Sequence, residues 1–189
     1  MAVKLVAGLG NPGAEYRGTR HNVGFEVLDA LAARHGLSWS VEGPALTARW
    51  RRLDDHVLFV KPTTFMNLSG EAVGALMRYY RVELPDVLIV CDDVNLDLGR
   101  LRVRLSGSEG GHNGLKSVAQ HLATTDYARL RIGVGRGDVR RDLADHVLAR
   151  FEPEERPGVA DAIARAADAV EMFVSDGPAR VMNTFNRES

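Results

Sequence analysis

Five side chains in this sequence stand at loop positions where chemistry could be done: Asn11, His21, Asn67, Asp92 and Asn113, with His112 beside the last. Histidine titrates near neutrality, which suits a general base. A carboxylate next to it can fix its tautomer and its aim. Neutral amides donate and accept hydrogen bonds, so they can hold a carbonyl group or a peptide bond. No Ser or Cys is placed as a convincing nucleophile, and Cys91 reads as a small buried residue. The reaction these types spell is attack of a His-activated water on a carbonyl carbon, with Asp92 supporting His21.

Asn11 and His21 share one short connection, GLGNPGAEYRGTRHNVG over 8–24. Two other readings compete for it. Residues 8–13 spell G-x-G-x-x-G after an apolar run, the dinucleotide fingerprint, but Pro12 and the polar stretch behind it delay the helix that should start inside the motif. The acid that should close a second strand about 20 residues on is also missing. The plainer alternative makes His21 a buried structural histidine and Asn11 a turn residue. The pair Asp92-Asp93 invites a metal or phosphotransfer reading, yet the sequence spaces no His or third acid to complete such a site, so no metal is expected.

Periodicity gives the elements that must position these groups. Residues 3–9 are β-branched and apolar, a buried strand that delivers Asn11 to the carboxyl edge of a sheet. Pro12 and Gly13 turn the chain, and Phe25, Leu28, Leu31 and Ala32 recur at helical spacing, so Asn22 is expected to cap a helix reaching about His35. The free N–H groups at that helix start are expected to lower the basicity of His21. Strands are expected over 46–52 and 57–60 about a turn at Asp54 and Asp55, with Ser69 capping a helix over 71–80. The run 87–90 is fully apolar, as a central parallel strand should be, and it leads to Asp92.

Arg100, Arg102 and Arg104 alternate with apolar residues on a further strand, an arginine stripe that faces either phosphate or solvent. The segment SGSEGGHNG over 106–114 is Gly-rich enough to move as a lid. A helix over 115–122, a strand over 130–134 among Arg129, Arg131 and Arg136, and an amphipathic helical tail from 141 complete the order. Together these predict an α/β sandwich with a mixed, mostly parallel sheet, whose antiparallel edges come from the Arg49 and Arg100 segments. The loops carrying the five polar residues would meet at one edge of it.

Composition bounds the rest. At 189 residues the chain is expected to form one domain over 1–189, and its 45% hydrophobic and 26% charged content is that of an ordinary globular protein. The net charge of -1 does not announce a nucleic-acid binder, but all except three of the 24 basic residues are Arg, and they cluster. A single Cys excludes disulfides within the chain and fits a reducing compartment, so the cytoplasm is expected. The first apolar run is too short for a signal peptide, and no stretch is long enough for a membrane span.

The segments GLGNPGAEYRGTRHNVG, KPTTFMNLSG, GGHNGLKS and RLRIGVGR resemble the bacterial peptidyl-tRNA hydrolase family, with matching stretches from Lys4 to about Arg136. The resemblance implies a three-layer α/β/α domain, monomeric and cytoplasmic, that works without a cofactor or metal. Its substrate would be peptidyl-tRNA released from ribosomes, cleaved at the ester between the peptide and the 3' ribose. By the same resemblance His21 is the catalytic base, Asp92 its supporting carboxylate, and Asn11 the residue that helps tell blocked from free aminoacyl-tRNA. Tyr16, Phe65, Asn67 and Asn113 match substrate-binding positions, with Met66 and His112 counted beside them, and Arg104 and Arg131 match a basic pair that clamps the tRNA 5' phosphate. The chain departs from the family in reading DDVNLD over 92–97, where a Pro usually stands, so a less stiff loop behind Asp92 is expected. A catalytically silent RNA-binding relative is the alternative, and it would be expected to have lost His21 or Asp92.

Overall fold

Along β1 (Val3–Gly8), Leu5 and Ala7 face one side of the sheet and Val6 the other, and each side meets its own helices. In this computed structural model, which describes residues 2–138 and 140–187, seven strands form one sheet in the order β2-β3-β4-β1-β5-β7-β6. After β1 come α1 (Val23–Arg34), β2 (Ser40–Glu42), β3 (Ala45–Arg52), β4 (Asp55–Pro62), α2 (Ser69–Tyr80) and β5 (Val87–Asp93). They are followed by β6 (Leu101–Arg104), α3 (Asn113–Leu122), β7 (Ala128–Gly133), α4 (Leu143–Leu148), α5 (Arg156–Asp176) and α6 (Pro178–Phe185). The inner strands β4, β1, β5 and β7 run parallel, while β2, β3 and β6 are antiparallel to their neighbours. The antiparallel edges are therefore those expected from the Arg49 and Arg100 segments.

Period-two alternation builds the three layers. Leu88 and Val90 of β5 pack with Val27, Leu28 and Leu31 of α1 and with α5 and α6, whereas Val87, Ile89 and Cys91 pack with Ala72, Val73 and Leu76 of α2 and Leu115 and Val118 of α3. An α/β/α sandwich follows directly. From β1 the chain crosses by α1 to one side of the sheet, and from β5 it leaves toward the other. The adjacent ends of β1 and β5 therefore form a switch point of strand order, where open α/β sheets place their ligand crevices.

The approach of α1 to this point is close. A Cβ on Gly24 would lie 2.6 Å from the carbonyl oxygen of Val90 and 2.8 Å from the backbone nitrogen of Leu9, so only glycine lets the first turn of α1 rest on the strand ends.

Several boundaries differ from the sequence expectation. Helix α2 starts at Ser69 itself, after a 3-10 turn over Met66–Leu68, and the Ser69 hydroxyl donates to the Met66 carbonyl oxygen at 2.7 Å rather than accepting as a cap. Asn22 occupies the N-cap position of α1 but makes no capping hydrogen bond. The short β2 was not expected, because its Val41 is exposed and three residues carry no periodic signal. At the other margin β6 ends the sheet. There Asn186, just past α6, lays its side-chain amide along the strand, accepting from Val103 N at 2.8 Å and donating to Val103 O at 3.0 Å. Among the described residues no helix is long and apolar enough to cross a membrane.

Candidate active site

Arg20, His21 and Asn22 form one 3-10 turn immediately before α1. With three residues to the turn, successive side chains leave in three different directions. His21 turns to the end of β5, where its Nδ1 lies 2.9 Å from both carboxylate oxygens of Asp92. Asn22 turns to the loop after β1, accepting from Asn11 N at 2.8 Å and donating to Asn11 O at 2.9 Å. That pairing explains the absent cap: the amide that would have served the helix holds the Asn11 backbone instead. Arg20 turns away from the strand ends toward α4 and α5.

Asp92 is 2% exposed and takes a second imidazole, with His112 Nε2 at 2.8 Å from Oδ1. His112 is the N-cap of α3, and its Nδ1 accepts from Gly114 N at 3.1 Å and Leu115 N at 3.2 Å. Two backbone donors on Nδ1 fix the tautomer, so the ring proton sits on Nε2 and points at Asp92. His112 thus lies behind the base as a partner of Asp92.

Burial by itself would raise the Asp92 pKa, but the two imidazoles beside it outweigh burial and hold the carboxyl well below the usual carboxylate range. For His21, burial works downward, while the charge and hydrogen bond of Asp92 work upward and win, leaving its pKa above the ordinary histidine value. The expected lowering by the helix start is therefore not what governs this residue. With Nδ1–H donated to Asp92, the lone pair of Nε2 is left for the cleft.

Ring nitrogens of His21 and His112 and an oxygen of Asp92 come within 4.8 Å of one another, a three-donor set that sequence spacing did not reveal. These donors are spent on each other at hydrogen-bond distance, and protonated Nε2 of His112 has no lone pair to offer an ion. The geometry is that of a carboxylate shared by two imidazoles.

The cleft in front of His21 holds about 250 Å3 and is lined by Asn11, Met66, Asn67, Asn113 and, from α4, Ala144, Val147 and Leu148. Four of the expected residues thus join His21 here. Nothing in the sequence marked the α4 wall, whose residues are ordinary apolar members of a helix. Asn11 Oδ1 accepts from Met66 N at 2.7 Å. Its Nδ2 is the group left to donate, so Asn11 can hold an oxygen but not a peptide N–H. Asn67 and Asn113 are exposed and keep both halves of their amides for a ligand. Tyr16 and Phe65 meet edge to face with ring centroids 6.4 Å apart, Phe65 being 55% exposed.

Arg104 and Arg131 share one face of the β6–β7 pair, where Arg102 stands opposite Arg131 and Arg104 opposite Arg129. Three of them differ in their surroundings. Arg129 is fully buried and donates to Gly107 O at 3.0 Å, and Arg131 donates to Ser108 O at 2.7 Å and reaches Asp93 at 3.4 Å. The Gly-rich segment 106–112 is therefore held down by two arginines, while Arg104 is exposed. The loop behind Asp92 is tied as well, although it lacks proline. Asp93 Oδ1 accepts from Asn95 N at 2.7 Å, Leu96 O accepts from Gly135 N at 3.0 Å, and Asn95 Oδ1 accepts from Arg136 at 2.8 Å. Gly133 lets this loop lie on β7, since a Cβ there would stand 2.0 Å from Asp97 O.

Known proteins resemble this chain over almost its whole length. The family described as "Peptidyl-tRNA hydrolase" matches residues 5–189. The peptidyl-tRNA hydrolase of Halalkalibacterium halodurans is 45% identical, covering 97% of this chain and 100% of that protein. That of Geobacillus kaustophilus is 48% identical over the same shares. The crystal structure of peptidyl-tRNA hydrolase from Acinetobacter baumannii superposes with a TM-score of 0.90 at 32% identity, covering 98% of this chain and 95% of that one.

Proposed function

We propose a residue-level chemistry from one premise: the chain belongs to the peptidyl-tRNA hydrolase family, and it hydrolyses the ester that joins a peptide to the 3' ribose of tRNA. Neutral His21 takes a proton from water at Nε2 as the water oxygen bonds to the ester carbonyl carbon. Asp92 receives Nδ1–H and stabilises the imidazolium that forms. Asn11 Nδ2 donates to the oxyanion, and Asn67 and Asn113 bind the neighbouring peptide bond. The tetrahedral intermediate collapses, the ribose 3' oxygen leaves and takes the proton back from Nε2, and the products are a free peptide carboxylate and tRNA with its 3' hydroxyl. Tyr16 and Phe65 contact the substrate beyond the amides, and Arg104 with Arg131 takes the phosphate backbone. In this reading the protein acts as a monomer in the cytoplasm, as one domain.

The observation that supports the reading is the orientation of His21, bonded to Asp92 through Nδ1 while it lines a cleft set with three asparagines. Incubation with peptidyl-tRNA, with no metal or nucleotide added, should release peptide and leave intact tRNA. General-base assistance is worth roughly a hundred- to ten-thousand-fold, so His21→Ala should lose about that much rate and bind tRNA within a few-fold. Turnover near the unsubstituted rate in that variant would overturn the mechanism. The amides also predict preference for N-blocked over free aminoacyl-tRNA, because a free ammonium lacks the carbonyl that Asn67 or Asn113 would donate to.

A further inference from the structure

Arg20 neither lines the cleft nor carries a role in the chemistry above, yet it is 2% exposed and among the most committed side chains of the molecule. Its Nη1 donates to the carbonyl oxygens of His146 at 3.2 Å and Ala149 at 3.4 Å, and its Nη2 donates to Glu155 Oε1 at 2.8 Å. The first two acceptors end α4, and the third lies in the 3-10 turn over Pro153–Glu155 that leads into α5. The guanidinium also sits over the Phe151 ring, 5.5 Å from its centroid. Backbone contacts follow the same route, with Arg20 N donating to Ala149 O at 3.0 Å, an antiparallel bridge between Thr19 and Arg150, and Arg150 Nε donating to Arg17 O at 3.1 Å.

We propose that Arg20 is a positioning residue for His21. The 3-10 turn is bolted at both flanks: Asn22 fixes it to the loop of Asn11, and Arg20 fixes it to the helix whose Ala144, Val147 and Leu148 form the far wall of the cleft. Between them the His21 side chain hydrogen-bonds to Asp92 and packs against the His112 ring, 4.9 Å between centroids. The distance from Nε2 of His21 to the α4 wall is therefore set by the guanidinium fork, which satisfies three oxygens on two segments at once. Lysine cannot reproduce this, because its ammonium is a point donor without the planar fork, and it would leave buried carbonyls unpaired. Misplacement of a catalytic group by about 1 Å can cost on the order of a hundredfold in rate, so a residue that touches neither substrate nor water can still govern turnover. This inference rests on His21 being the base.

The test measures kcat and KM separately on an N-acetylaminoacyl-tRNA for Arg20→Lys, Arg20→Met and Glu155→Gln, at a temperature where each is folded by circular dichroism, with His21→Gln in parallel. Arg20→Lys and Arg20→Met should lower kcat by roughly ten- to a hundredfold and leave KM within about threefold. The acidic limb of the pH profile should stay in place, since the pairing with Asp92 is untouched. Glu155→Gln, the milder change, should lower kcat by about threefold or more, and it carries the test if both Arg20 variants fail to fold. Unaltered kcat in the folded Arg20 variants, or in Glu155→Gln where it stands alone, overturns the proposal whatever happens to the melting temperature. Full kcat in Arg20→Lys with loss in Arg20→Met overturns the fork and leaves only a charge. Activity surviving in His21→Gln would instead strike the mechanism on which the proposal rests.

Discussion

Replacing Asp92 by Asn would remove the charge beside His21 and keep the shape. The base must be neutral to work, so the rate falls as pH drops through the His21 pKa, which in this protein lies above the ordinary value because Asp92 outweighs burial. Without the charge, burial is what remains, and it acts downward. Asp92→Asn should therefore slow the reaction and move the acidic limb to lower pH, and a limb that moves up or stays would contradict the electrostatics. His112→Asn should do the reverse. Asparagine is a favoured N-cap and would keep α3 started, but it is too short to donate to Asp92, and a carboxylate short of one donor draws harder on the His21 proton. Its acidic limb should move to higher pH with the melting temperature nearly held, and a shift in the same direction as Asp92→Asn would refute the division of work. His21, Asp92 and the three asparagines were legible in the sequence because their types and loop positions are unusual. The role of His112 was not, since it depends on which nitrogen two backbone groups occupy, and sequence carries no tautomers.

At the scale of elements the position of α1 rests on a missing side chain. In Gly24→Ala the new methyl would meet backbone atoms of Val90 and Leu9, which cannot yield without lifting the helix. Overpacking of this kind costs roughly 1–3 kcal/mol, so the melting temperature should fall by roughly 2–12 °C, and turnover should fall with it because the His21 turn rides on that helix. A variant that melts like the parent would show that the contact is slack. The long elements announced themselves by strict periods, and the core confirms them. Misjudged boundaries came from polar side chains with two possible uses: Ser69 and Asn22 have the right type for caps, but the carbonyl of Met66 and the backbone of Asn11 compete for them and win. Pro-less 93–98 was expected to be loose; its tie to Asp93 is local, but those to Gly135 and Arg136 come from far along the sequence.

Over the whole molecule, a net charge of -1 hides a local grouping of four arginines on one face of the β6–β7 pair, Arg104 exposed and Arg129 buried among them. Arg104→Gln should weaken tRNA binding and reduce the slope of log Kd against log salt by roughly one, with kcat unchanged. Arg131→Gln should lower kcat too, because Arg131 also holds Ser108 and Asp93. Equal behaviour of the two, measured as Kd across salt and kcat at saturating substrate, would show that Arg131 serves affinity alone. The stripe was visible in the alternation of Arg and apolar residues. What alternation could not reveal is which guanidinium was already spent inside the protein.

The amide of Asn186 stands in for a neighbouring strand along β6, occupying both the N–H and the C=O of Val103. A sheet margin left bare is a template for another chain, and a chain ending at Phe185 would uncover those groups beside a short, apolar-backed strand. Such a truncated protein should fold with its catalytic cleft intact, yet associate as its concentration rises, through margins that pair with one another. Light scattering against concentration would register this, and a truncated form that stays as dispersed as the full chain would show that the margin needs no cover. Release of this enzyme from its own synthesis a few codons early would then be a problem of colloid chemistry before it was one of catalysis.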